Sequence, residues 1–154
     1  MLEKRVLSVE EVQAARQAEE NLLGAILVDA SDGEADRHFI DAIAFIVKPF
    51  DFMGFDNRYP VNSWQCQNGR IYSAMLTCKG APHSVNVAAE LSRRGLLKQG
   101  DLSQLSHCIA ELPTHLDWND YAVAVRYYSQ LRNSVKGEER LNQRTVGGVT
   151  LDPM

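Results

Sequence analysis

Seven cysteine and histidine side chains, types that bind zinc, occur in this sequence: Cys66, Cys78, Cys108, His38, His83, His107 and His115. Structural zinc sites draw ligands in close pairs such as C-x-x-C or H-x-x-x-H, because side chains one turn apart can share a tetrahedral centre. No such pair is present. His107 and Cys108 are adjacent, so on a helix their side chains diverge by about 100°. Cys108 reads as a small core residue. Nucleophilic catalysis finds no nucleophile elbow. The carboxylates Glu10, Glu11, Glu19 and Glu20 fall in the first helical segment. There they suit the helix dipole and a solvated face better than acid–base work. No G-x-x-x-x-G-K-[ST] phosphate loop occurs, and Gly147-Gly148-Val149-Thr150 lacks both the lysine and a following helix. The expectation is no catalytic, cofactor-binding or metal-ligating residue, and no enzymatic activity.

The residues that carry binding potential are aromatic. Trp118, Tyr121, Val125 and Tyr128 recur every three or four residues, a heptad-like stripe. A second group, Phe52, Phe55, Tyr59 and Trp64, lies in the irregular stretch 50–67 together with Phe50, Met53 and Val61. Each group has two readings: packing on the chain's own core, or anchoring a partner. Both are kept as interface candidates. Arg126, Arg132, Lys136, Arg140 and Arg144 make the 126–144 stretch basic. It reads either as a solvated helix face or as the contact of a small DNA-binding regulator. The net charge of −4 and pI of about 5.5 weigh against a strong stand-alone nucleic-acid binder.

The elements that must position these groups are helices. Ser8 and Glu11 form a capping box, followed by Val12, Ala15, Leu22, Leu23, Ile26 and Leu27 at helical spacing. The half beginning at Gln17 should be the more buried. Gly24 in that helix costs about 1 kcal/mol relative to alanine, which suggests another helix packed close there. A second helix runs from about Asp36, with Phe39, Ile40, Ile43 and Ile46 inward, and stops at Lys48-Pro49. A third spans about Gly69 to Lys79, ended by Gly80. Ser84 caps a fourth, which ends at Gly95. Asp101 and Gln104 suggest a capping box opening a fifth, which carries Leu102, Leu105, Ile109 and Leu112 and stops at Pro113. Asp117 caps a sixth, over about 117–136. Residues 137–154 read as a flexible tail or linker beyond a 1–136 domain.

With 154 residues, 45% hydrophobic and 23% charged, the chain is long enough for one core without disulfides. Three scattered cysteines and no signal peptide point to the cytoplasm. The expected fold is all-α: a compact orthogonal bundle of about six helices.

Five blocks, in order over residues 12–133, resemble the N-terminal domain of DnaB-type replicative DNA helicases. They are Ala18-Glu19-Glu20-Asn21-Leu22-Leu23-Gly24-Ala25-Ile26-Leu27-Val28-Asp29; Asn68-Gly69-Arg70-Ile71-Tyr72-Ser73-Ala74-Met75; Gly80-Ala81-Pro82-His83-Ser84-Val85-Asn86-Val87; Ala88-Ala89-Glu90-Leu91-Ser92-Arg93-Arg94-Gly95-Leu96-Leu97; and Tyr121-Ala122-Val123-Ala124-Val125-Arg126. The resemblance implies a helical head that forms the collar of a ring helicase. Its implied partners are helicase subunits, in a homo-oligomer or with a cognate helicase, and DnaG-type primase. Unwinding in that family belongs to a separate ATPase domain. Residues 53–67 are longer than the family's usual connection. The returning helix of the family's hairpin is not recognisable here.

Overall fold

Ser8 opens the first helix as its spacing predicts. Its hydroxyl accepts from the Glu11 amide at 3.1 Å, and the Glu11 carboxylate accepts from the Ser8 amide at 2.9 Å. Two otherwise unpartnered donors of the first turn are satisfied reciprocally. Ser8→Ala is expected to cost about 1 kcal/mol, read as a lower midpoint in urea denaturation. The computed structural model describes residues 6–31, 37–56, 59–113 and 118–134. Among them are six α-helices: α1 Val9–Ala30, α2 His38–Ile46, α3 Trp64–Thr77, α4 Ser84–Arg93, α5 Asp101–Ala110 and α6 Trp118–Asn133. No strand occurs among the described residues. The proposed cap Asp117 and the stretch 137–154 lie outside them.

The 22-residue α1 is the central element and touches α2, α3, α5 and α6. From Ala18 to Leu27 nearly every residue is buried, whichever way its side chain points, because helices cover it on several sides. Leu22, Leu23, Ile26, Ile40, Ile43, Ile71, Met75 and Leu91 are fully enclosed in one apolar cluster that also takes in Val125 of α6. The Cα of Gly24 lies so close to the Cys108 carbonyl that an added Cβ would collide with it. That contact is the close helix approach its position predicts, and the approaching helix is α5.

Four boundaries differ from the sequence expectation, α4 among them: its cap is His83, whose side chain accepts from the Asn86 amide at 3.3 Å, and not Ser84. α2 begins at His38 and ends before Val47, whose amide still bonds Ile43. α3 begins at Trp64, five residues earlier than expected. Ser63 caps it by accepting from the Cys66 amide, and Gly69 sits inside the helix. Asn68 and Gly69 look like helix breakers, but Asn68 is buried with its amide bonded, and Phe52 lies beside Gly69. α5 is capped by Gly100 in a left-handed conformation, not by an Asp101–Gln104 box. Asp101 turns inward instead, and Leu102 and Ile109 of the apolar set are exposed.

Gly95, with φ of 70°, ends α4 in the conformation glycine adopts without strain, whereas α3 ends at Cys78 in extended backbone, two residues before Gly80. The α3 carbonyls left open at that end are closed from a distance. The Arg37 guanidinium donates to the carbonyls of Met75, Leu76, Cys78 and Gly80. That fork ties the start of α2 to the end of α3.

Candidate functional site

The expectation that Glu19 and Glu20 face solvent is overturned. Both are buried, at 2% and 5% exposure. Glu19 follows Ala15 by four residues and precedes Leu22 and Leu23 by three and four. It therefore lies on the buried stripe of α1. Its Oε2 accepts from the Met53 backbone amide at 2.9 Å, and its Oε1 from the Asn68 amide at 3.3 Å. Gln104 of α5 donates to Asn68 Oδ1 at 3.0 Å and to Glu20 Oε2 at 2.8 Å. Glu20 also accepts from Arg16 Nε at 3.0 Å, and its other oxygen lies 3.3 Å from His107 Nε2. These contacts link α1, α3, α5 and the irregular segment through one polar cluster inside an apolar core.

Burial pushes the Glu19 carboxyl up to about 8, against the pull of the Met53 and Asn68 hydrogen bonds and of the Arg132 charge; the Glu20 charge adds a small push upward. The same burial raises the Cys108 thiol to about 12, and Cys78 is also raised. Neither thiol is a ready thiolate at neutral pH. No three His, Cys, Asp or Glu side chains among the described residues are grouped to hold a metal ion.

A second polar cluster anchors α6. Asp51 accepts from the Lys48 amide and from the Ser129 hydroxyl, both at 2.7 Å. Arg132 is buried and donates to the carbonyls of Phe50 and Asp51. Arg126 reaches the Ile46 carbonyl at 3.2 Å. Thus Arg132, one of the five cations proposed for a DNA contact, has its guanidinium in the interior, where it cannot neutralise a phosphate. Lys136, Arg140 and Arg144 lie outside the described residues. A third pair, Arg70 with Asp101 at 2.7 Å, links α3 to α5, and Gln67 donates to the same carboxylate.

The eight aromatic and apolar interface candidates separate by depth. Phe52 is fully buried, stacked on Tyr72 at 4.6 Å between ring centres, and Val125 is buried beneath α6. Both are core residues, which corrects their place among surface anchors. Tyr72, missed as a site residue, holds this region by donating to the Val47 carbonyl at 2.7 Å. Trp118, Tyr121 and Tyr128 are half-buried against the core, Trp118 edge-on to Phe39 at 5.3 Å. The α6 stripe therefore serves chiefly the chain's own packing. Phe55 remains on the surface at 58% exposure. Tyr59 and Trp64 are half-buried, and Trp64 lies under the Arg16 guanidinium at 5.0 Å. Trp64 also lines a shallow groove with Leu7, Val9, Val12 and Gln13. Phe45, Val123 and Tyr127 are exposed apolar residues that the heptad reading passed over. Their signal was available as apolar positions off the inward stripe.

What fold and surface define together is a class: an all-α head with a polar hub at its centre and aromatic side chains on its outside. The chain is similar to the crystal structure of the N-terminal domain of DnaB helicase from Mycobacterium tuberculosis, at 27% identity and a TM-score of 0.59. The match covers 88% of this chain and 87% of that one. No family model and no curated protein matches the chain. The chain thus folds as a DnaB N-terminal-like domain. The five sequence blocks fall on α1, α3, the turn into α4, α4 with its glycine stop, and α6. No helix among the described residues is long and apolar enough to cross a membrane.

Proposed function

We propose that this chain is a non-catalytic oligomerisation and docking module of the DNA replication machinery, associating with DnaB-type helicase subunits, its own copies included, and with primase. The observation that carries the reading is the similarity to a helicase N-terminal domain over nearly the whole of both chains. Phe55, Tyr59 and Trp64 are the residues proposed to meet a partner, with the outer edges of Trp118, Tyr121 and Tyr128. Phe55 supplies exposed ring area on a segment anchored from within by the Met53 bond to Glu19 and by Phe52 stacked on Tyr72. A pre-positioned aromatic anchor loses little side-chain freedom on contact.

The test is co-elution on size exclusion with the cognate helicase and with primase, at tens of micromolar. A shift with either supports the reading, and no shift with both, together with a monomeric chain alone, removes it. Phe55→Ala is expected to leave the urea midpoint nearly unchanged, because its ring touches mostly solvent. It should weaken the complex by about tenfold or more, a loss of at least about 1.4 kcal/mol. Unchanged co-elution of that variant would move the contact elsewhere on the surface.

A further inference from the structure

We propose that Glu19, Asn68, Gln104, Glu20 and His107 form one proton-linked hydrogen-bond chain that sets how firmly the 49–56 segment is held on α1. The five side chains come from three helices and follow one another at 3.3, 3.0, 2.8 and 3.3 Å. One end, at Glu19, is enclosed. The other, at His107, has 46% of its side chain exposed. Every amide donor in the chain is directed at a carboxylate oxygen or an amide oxygen. That arrangement suits Glu19 as a pure acceptor.

A proton on Glu19 reverses this direction. The carboxyl oxygen facing Asn68 becomes a donor and meets the Asn68 amino group, so two donors oppose each other. Rotating the Asn68 amide by half a turn presents its carbonyl to Glu19 and its amino group to Gln104. Gln104 must then rotate as well, offering its carbonyl to Asn68 and withdrawing its donor from Glu20. Glu20 is left with Arg16 and His107. A single proton at the buried end is thereby read at the surface end, with no bond broken in the backbone.

The segment feels the same event. The Met53 amide donates to Glu19 Oε2. That bond is charge-assisted when Glu19 is ionised, and such bonds are roughly twice as strong as neutral ones. Gain of the proton loosens the hold on Met53, whose neighbours Phe50 and Phe55 are exposed. The titratable and charged groups around the chain are Arg16 and Glu20 from α1, His107 and the Cys108 thiol from α5, Arg132 from α6 and Asp51 from the segment itself. α3 faces it with the uncharged Asn68. The consequence for docking rests on the function proposed above, and the proton linkage stands without it.

The experiment is a nuclear magnetic resonance titration of the full isotope-labelled chain from about pH 4 to about pH 10. The Glu19 carboxyl carbon should titrate with a midpoint near 8. The side-chain amides of Asn68 and Gln104 and the backbone amide of Met53 should move with that same midpoint. His107→Gln, a change at the accessible end that spares the core, should displace the shared midpoint while the four signals still move together. A Glu19 carboxyl that titrates near the ordinary value of about 4.3, or amides that do not follow it, would overturn the linkage. Co-titration without capture of helicase or primase at either end of the range keeps the linkage and removes the docking function.

Discussion

Gly24→Ala is expected to destabilise the domain by about 3 kcal/mol, the upper part of the range for overpacked cores. Alanine is the better helix former by about 1 kcal/mol, so in an open helix the change would stabilise. Here the added carbon would meet the Cys108 carbonyl oxygen, with the carbonyl carbon at 3.1 Å. Backbone cannot rotate aside as a side chain can. Relief requires α5 to move away from α1 as a body. That motion would draw Leu105 and Cys108 out of the core and stretch both Gln104 hydrogen bonds, at 2.8 and 3.0 Å. The steric cost therefore outweighs the propensity gain. Gly69→Ala is the internal control. It too is helical, but its added carbon meets Phe52 Cβ at 3.7 Å, an ordinary contact. It should gain up to about 1 kcal/mol. Urea denaturation of the two variants beside the parent reads both signs. Equal midpoints for both would show that α5 is not held against α1 at Gly24.

Gly24 also marks where the sequence was informative. A glycine in a strongly apolar helix has one economical reading, close approach by a neighbour, and α5 is that neighbour. The capping box at Ser8, the stop before Pro49 and the glycine end of α4 are legible for a similar reason. Each is a local device whose residues and geometry correspond one to one. The polar interior is not local. Glu19, Asn68, Asp101 and Gln104 are residue types usually found outside, and their side-chain partners lie 31 to 84 positions away in the chain. Spacing alone still held the clue. Asp101, Gln104, Leu105 and Cys108 follow the i, i+3, i+4, i+7 pattern of an inward stripe, as Glu19 does between Ala15 and Leu22. Residue type outweighed periodicity there, and it placed Asp101 at a cap. The same preference for type over depth put Phe52 and Val125 among surface anchors. Aromatic and β-branched residues serve cores and interfaces alike, so only the fold separates them.

Glu19 governs the second large effect, on stability as a function of pH. Its folded value, near 8, lies above the ordinary 4.5. The native state therefore holds a proton that the unfolded chain has already released. Between those values the unfolded state binds fewer protons, so stability falls as pH rises. Below about 4.5 both states are protonated and the contribution is complete; above about 8 both are ionised and it has gone. The loss accrues at about 1.4 kcal/mol for each pH unit spent in the window, a few kcal/mol in all. Glu90 acts elsewhere on the scale. Its bonds to Arg93 and Thr77 hold it well below the usual carboxylate range, at about 2, so its stabilisation is lost only as pH falls below about 4.5. Glu19→Gln mimics the protonated carboxyl and cannot ionise. At pH 5 the variant should match the parent closely. At pH 9 it should be the more stable by a few kcal/mol, because the parent then carries a buried charge whose hydrogen bonds do not repay its lost hydration. Denaturation curves at stepped pH values measure the difference directly. Parallel pH profiles for parent and variant would mean that Glu19 is ionised throughout, with the Met53 and Asn68 bonds outweighing burial.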